Sequence, residues 1–399
     1  MSESYRAVKV SDHVYWVGGI DWGIRDFHGY ATHRGSTYNA YLVVGDRVAL
    51  IDTVKAPFVE ELLARIGSVI APERIDYVIS NHAEMDHSGG LPAVIDAVKP
   101  EKVFASAMGV KALGEHFRLG REVTAVKEGE SVSLGNLTLS FVEARMLHWP
   151  DNMMSYLAEE QVLFSNDAFG MHLASSERFD DEIEGAILAE EAAKYYANIL
   201  LPLSPLVSKQ LDKVGKLGIA IKTIAPSHGP IWRGDATKVV GWYARWASGA
   251  TRDRAVVVYD TMWQSTAMMG KAIAEGIAGG GASVKLMPLR AAHRSDVATE
   301  LLGAGALVVG SPTLNNGLFP TVADVLSYIK GLKPRNLIGA GFGSYGWSGE
   351  AVGQVADALG EMKVEVIGEG IKVKYVPDEE SLSRCFALGR EIAERLGRG

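Results

Sequence analysis

The chain has 399 residues, long enough for two or three domains. Its formal net charge of -8 argues against nucleic acid as a main partner. With one cysteine, Cys385, it can form neither an internal disulfide nor a thiolate metal cluster, which fits a reducing, cytoplasmic setting.

In chain order, the N-terminus lacks the charged and apolar regions of a signal peptide. No run approaches the ~18 apolar residues of a membrane span, so no membrane association is expected. Short β-branched and aromatic runs at 14–17, 41–44 and 48–51 read as strands. Residues 58–70 carry Leu62, Leu63 and Ile66 at helical spacing, and 74–80 follows as a strand. Further strands are expected at 103–105, 137–143, 155–158, 162–165 and 222–225. Many short strands with interspersed helices suggest two packed sheets covered by helices.

A polar, strand-poor stretch at 248–254 marks a boundary, giving domains at 1–250 and 254–399. Beyond it the pattern alternates. Strands are expected at 255–259, 284–287, 306–310, 337–341 and 363–367, and helices at 267–278, 321–330, 350–359 and 379–396. Continuous apolar strands between helices indicate a parallel sheet buried on both faces, of flavodoxin-like size.

The most informative segment is NHAEMDHSGG at 81–90. It places His82, Glu84, Asp86 and His87 within six positions, directly after a strand. Two carboxylates and two imidazoles cannot be buried together cheaply without a cation. Three more polar residues follow other expected strands: His148 in RMLHWPDN, Asp167 in VLFSNDAFG and His228 in IAPSHGPIW. Loops at strand ends are where a rigid sheet presents chemistry. Seven candidate ligands suggest two metals sharing a carboxylate, since each metal takes roughly four to six.

This pattern resembles the metallo-β-lactamase fold, including Asp52 in ALIDTV. The hydrolytic members carry histidine at the third position of the cluster, where this chain has Glu84, a hard oxygen ligand that favours iron over zinc. A HxExDH variant followed by a flavodoxin-like domain resembles the flavodiiron proteins over essentially the whole chain. The expected fold is therefore α/β, a metallo-β-lactamase-like αββα sandwich followed by a flavodoxin-like doubly wound sheet. The resemblance implies one iron on His82, Glu84 and His148, a second on Asp86, His87 and His228, and Asp167 bridging them.

The same resemblance implies FMN. In DTMWQSTAMMG, after the strand at 255–259, Thr261, Ser265 and Thr266 offer hydroxyls at a helix start, beside Met262 and Trp263. SPTLNNG supplies Pro312, Thr313, Leu314 and Asn315; GSYGWSGE supplies Ser344, Tyr345, Gly346, Trp347 and Ser348. Tyr345 and Trp347 are the expected ring-stacking aromatics. Three such loops at successive strand ends suit a flat, polar-edged flavin.

The implied activity is reduction of O2 to water, NO to N2O, or both. A separate donor, rubredoxin or a flavin reductase, would supply electrons, and a head-to-tail homodimer or a dimer of dimers would pair flavin with iron. His28, with Tyr195 or Tyr196, is the candidate source of protons and hydrogen bonds beside the irons. Two rival readings are a di-zinc hydrolase fused to a flavodoxin-like domain and a non-enzymatic flavin electron carrier.

Overall fold

The computed structural model describes residues 5–397. The chain forms two compact units. The first comprises residues up to 27, 32–195 and 205–244; the second comprises 28–31, 196–204 and 245 onward. Residues 28–31, 196–204 and 245–250, all within the range 1–250, thus belong to the second unit.

Among the described residues, the first unit builds two large sheets, beside a small two-stranded one of Gly19–Asp21 and Ser36–Tyr38. The larger runs β1 (Val8–Lys9), β2 (Val14–Trp16), β3 (Tyr41–Val44), β4 (Val48–Ile51), β5 (Tyr77–Ser80), β6 (Lys102–Ser106) and β7 (Val123–Val126), adjacent in that order. Its first four strands pair antiparallel, and β4 to β7 pair parallel. The second sheet runs β8 (Ser131–Ser133), β9 (Thr138–Glu143), β10 (Met153–Leu157), β11 (Val162–Asn166) and β12 (Thr223–Pro226). Here β11 and β12 are parallel and the other neighbours antiparallel.

Alternation along the strands sorts their side chains. Ala49 and Ile51 of β4, Tyr77 and Ile79 of β5 and Phe104 of β6 join a core with Leu139, Phe141 and Phe164 of the second sheet. Val48, Leu50, Val78, Val103 and Ala105 point the other way, to a core with Leu62, Ile66, Leu91, Val94 and Leu113. Those last residues belong to helices Val59–Gly67, Leu91–Val98 and Ala107–His116. A period of two therefore yields two buried faces and the sandwich.

The second unit is a parallel sheet. Its strands are β13 (Arg252–Tyr259), β14 (Ser283–Pro288), β15 (Ala304–Gly310), β16 (Ile338–Tyr345), β17 (Glu365–Val366) and β18 (Ile371–Lys374). The order is β14-β13-β15-β16, with β17 and β18 both against β16. This is the doubly wound arrangement of flavodoxin-like sheets. Ala255, Val257, Ala306 and Val308 face helices Ser265–Gly279 and Glu379–Leu396; Val256, Val258, Leu307 and Val309 face the opposite layer.

The structure departs from the sequence expectation at the fifth strand. The expected strand at 363–367 is only Glu365–Val366, paired with Ile338–Gly339. The chain breaks at 367–370 and resumes as β18, paired with Phe342–Tyr345. Strand β16 also runs on to Tyr345, four residues past the expected end. Gly370, at φ +80°, makes the return, and a Cβ there would sit 2.8 Å from the Gly341 carbonyl oxygen.

Candidate di-iron centre and flavin cavity

Strand ends of the first unit bring the seven candidate ligands together. Strand β5 delivers Asn81 and His82, and one helical turn at Met85–Ser88 then presents Asp86 and His87. Past β9 comes His148, at the end of β11 comes Asp167, and past β12 comes His228. Strands β9, β11 and β12 run in one direction, so their exits share an edge.

The loop after β5 is held from both sheets. Asn81 donates from its backbone N–H to Asp52 Oδ1 at 2.6 Å and from its side-chain amide to Asp52 Oδ2 at 3.1 Å. Its side-chain oxygen accepts from Ser155 Oγ at 2.7 Å, and its carbonyl accepts from Met153 N–H at 3.0 Å. Burial pushes the Asp52 carboxyl up to about 6, against His87 and the two Asn81 donors, which lower it.

The ligands fall into two groups: His82, Glu84, His148 and Asp167, and Asp86, His87 and His228. Asp167 faces both. Its Oδ2 lies 3.5 Å from His82 Nε2 and 3.4 Å from His148 Nε2, while Oδ1 lies 3.0 Å from His87 Nε2 and 3.6 Å from His228 Nε2. Glu84 Oε2 is 3.2 Å from His148 Nε2, and Asp86 Oδ2 is 3.1 Å from His228 Nε2.

These distances fit metal binding. Two donor atoms each ~2.1 Å from one ion, at angles near 90–110°, lie about 3.0–3.5 Å apart. Both oxygens of Asp86, both of Asp167, and Nε2 of His82 and His87 are buried without a hydrogen-bond partner. An uncompensated buried carboxylate costs several kcal/mol, so shared cations are the economical explanation of this donor set. Three carboxylates among seven donors suit iron better than zinc.

Outer contacts orient the rings. Nδ1 of His82 lies 2.9 Å from Asp151 Oδ2, and Nδ1 of His228 donates to the Thr37 carbonyl at 2.6 Å. Both leave Nε2 for the metal. Ser106 explains Asp151's place: its hydroxyl donates to the Asp151 carbonyl and also caps helix Ala107–His116. Burial alone would lower the histidines, but surrounding carboxylates outweigh it. His82 and His148 rise to about 10 and His87 to about 9. Burial would conversely raise Asp167, yet His87, His148 and His82 hold it well below the usual carboxylate range.

Tyr195 is buried, with its ring 6.3 Å from that of His228. Burial, with Asp167 nearby, keeps its hydroxyl protonated well above 10. Tyr196 belongs to the second unit, its hydroxyl 3.0 Å from Ser204 Oγ. His28 is exposed at φ +55° and also belongs to the second unit. The sequence reading missed His172. It is buried, with its ring 4.8 Å from His228, 5.2 Å from Tyr195 and 4.7 Å from Phe27, and its Nδ1 2.8 Å from Ser36 Oγ. It lies in a strandless stretch, so periodicity gave no signal.

In the second unit, the strand ends surround a cavity of ≈ 460 Å³. Met262, Trp263, Ser265, Pro312, Thr313, Leu314, Asn315, Ser344, Tyr345, Gly346, Trp347 and Ser348 line it, as do Asn316, Tyr375 and Val376, which the sequence reading omitted. Tyr375 and Val376 follow β18, the strand that reading did not foresee. Thr313 N–H donates to the Ser344 carbonyl at 3.0 Å, tying two of the loops together.

Thr266 is fully buried with its hydroxyl 3.0 Å from Ser344 Oγ. Thr261 Oγ1 is buried without a hydrogen-bond partner just before helix Ser265–Gly279, a place where an anionic group would satisfy it. Trp263 and Trp347 are 90% and 87% exposed, far beyond the norm for tryptophan, which fits walls for a flat aromatic ligand. The cavity thus fits FMN.

Comparison with known proteins agrees with both halves. An ODP family beta lactamase model matches residues 37–229, and a flavodoxin model matches 257–389. A nitric oxide reductase of Moorella thermoacetica is 48% identical over 98% of each chain. The rubredoxin oxygen:oxidoreductase of Desulfovibrio gigas superposes with a TM-score of 0.96 at 45% identity, over 98% of this chain and 99% of that one. The flavodiiron protein of Giardia intestinalis superposes with a TM-score of 0.97 at 32% identity, over 100% and 98%. The chain belongs to the flavodiiron family. It is an oxidoreductase with FMN and a di-iron centre as cofactors, and neither a di-zinc hydrolase nor a simple electron carrier.

Proposed function

We propose that this flavo-di-iron oxidoreductase reduces O2 to water, NO to N2O, or both, in the cytoplasm. The carrying observation is Asp167, whose two oxygens face two separate ligand groups. Relatives named nitric oxide reductase and rubredoxin-oxygen oxidoreductase support the gas substrates, and the second name supports rubredoxin as donor. A flavin reductase is the alternative donor. No helix among the described residues is long and apolar enough to cross a membrane.

When bound, FMN would supply electrons singly from a two-electron store, and two irons would supply redox chemistry at a site open to a diatomic gas. The chain's residues set the conditions for this. His82, Glu84 and His148 would hold one iron, Asp86, His87 and His228 the other, and Asp167 is placed to serve both. Asp151 and the Thr37 carbonyl fix two of the imidazoles. Tyr195 holds a proton at its hydroxyl beside His228 and is one candidate donor; His28 is the other. In the second unit, Trp263, Tyr345, Trp347 and Tyr375 would wall the flavin ring, and Thr261 and Ser265 would offer hydroxyls to its phosphate. The functional domains are 1–250 and 254–399, and a head-to-tail homodimer or a dimer of dimers brings flavin to iron.

The test is anaerobic reduction of the purified protein followed by pulses of each gas at an electrode. Reoxidation by O2 or NO much faster than that of free FMN is expected. Reoxidation by both gases at the free-flavin rate would refute the proposal.

A further inference from the structure

A second cavity, of ≈ 200 Å³, lies in the first unit between the second sheet and the helices over it. Its inner wall is fully buried: Leu147, Met154, Leu163, Ala168, Phe169 and Ile224. Its outer wall comes from helices Ser204–Lys216 and Ala236–Ser248 and the loop after the first, where Leu211, Val214, Ile219 and Val240 are half-buried and Gly215 is exposed. The two polar side chains on the wall are already engaged. Gln210 donates to the Glu143 carbonyl at 3.1 Å, and the Tyr243 hydroxyl accepts from Phe169 N–H at 2.9 Å. Such a lining offers water few partners and favours small apolar solutes.

The position of the inner wall gives the cavity its meaning. Leu147 immediately precedes His148, and Ala168 and Phe169 immediately follow Asp167. One residue step is 3.8 Å, so the wall is built from the neighbours of two metal ligands. Phe169 is held at φ +68°, a conformation a bulky residue adopts only when its surroundings enforce it. Its carbonyl accepts from Trp232 Nε1 at 2.9 Å, and its ring lies 4.7 Å from that of Tyr243. The fold keeps this strained aromatic between the cavity and the strand end that carries Asp167.

We propose that the cavity is the passage and holding site for the diatomic gas, running from the surface near Gly215 to the rear of the di-iron centre, with Phe169 as its inner partition. This rests on the gas-reductase reading above. O2 and NO are small and weakly polar, and they partition into dry apolar space.

The test uses the holoprotein and xenon as a probe, by diffraction under xenon pressure. Xenon is expected in the cavity of the wild type. Val207→Phe, which fills the space from the helix side without touching a ligand, should expel it. The same variant should lower kcat/KM for the gas the wild type consumes several-fold, with iron and FMN content, kcat at saturating gas and kcat/KM for the electron donor unchanged. Val240→Phe, from the opposite helix, should behave alike and serves if Val207→Phe does not fold. Absence of xenon from the wild-type cavity, or an unchanged kcat/KM for the consumed gas with the cavity filled, overturns the proposal. A wild type that consumes neither gas refutes the reading of function instead, and the xenon result is then read independently.

Discussion

Asp151 touches His82 and is not itself among the seven ligands. Replacing it with asparagine keeps the shape but removes the charge that fixes the imidazole. Loss of such an outer partner weakens metal binding roughly 10–100-fold. Asp151→Asn is therefore expected to bind iron that much more weakly, with normal FMN content, measured by competition with a chelator. Proton competition acts at the same rings. Without metal, His82 and His148 keep their protons to about pH 10 and His87 to about 9. Iron must displace those protons, so affinity should rise with pH up to that range and fall as pH drops. Calorimetric iron titrations in buffers of different ionisation enthalpy should show proton release at pH 7. The metal-free protein has the companion property. Histidines raised above their unfolded value contribute stability present below about pH 6.5 and lost as pH rises through 9 to 10. The metal-free form should lose thermal stability over that interval, and the iron-loaded form should lose less.

At the scale of elements, the grouping of the seven candidate ligands was legible because each lies next to a β-rich run, and four of them share one short segment. His172 was illegible for the opposite reason. Its neighbours have no periodicity, and only packing against β12's exit brings it to His228. Tyr375 was missed through the strand ahead of it: the glycines at 368 and 370 hid a continuation of the sheet behind an apparent loop. Tyr375→Ala should weaken FMN binding about tenfold, the size of one aromatic contact, with iron content unchanged, measured by flavin fluorescence recovery. Helix packing offers a second check. A Cβ on Gly276 would sit 2.1 Å from the Phe386 carbonyl oxygen, because helices Ser265–Gly279 and Glu379–Leu396 cross in backbone contact. Gly276→Ala should destabilise the second unit by about 1–3 kcal/mol, seen as a lower melting temperature of its FMN release.

For the whole molecule, the two units own separate cofactor sites, and ligand binding stabilises the unit that holds it. Calorimetric scans should show iron removal lowering one transition and FMN removal lowering another. A single transition shifted equally by both treatments would contradict independent units. The proposed head-to-tail pairing makes a further demand. Mixing subunits of an iron-deficient variant, Asp167→Ala, with subunits of a flavin-deficient variant, Trp347→Ala with Tyr375→Ala, should restore gas reduction after refolding together. No recovery in mixed dimers would argue that electrons stay within one chain.

As the proposed bridge, Asp167 would also govern how the centre is assembled. The first ion to arrive would fix a carboxylate that faces both ligand groups, leaving its second oxygen aimed at the place of the other ion. Occupancy of one position would thereby raise occupancy of the other. Iron added below two equivalents should partition the population into fully loaded and bare chains, with few singly loaded ones. Native mass spectrometry of such a mixture would display that all-or-nothing distribution directly.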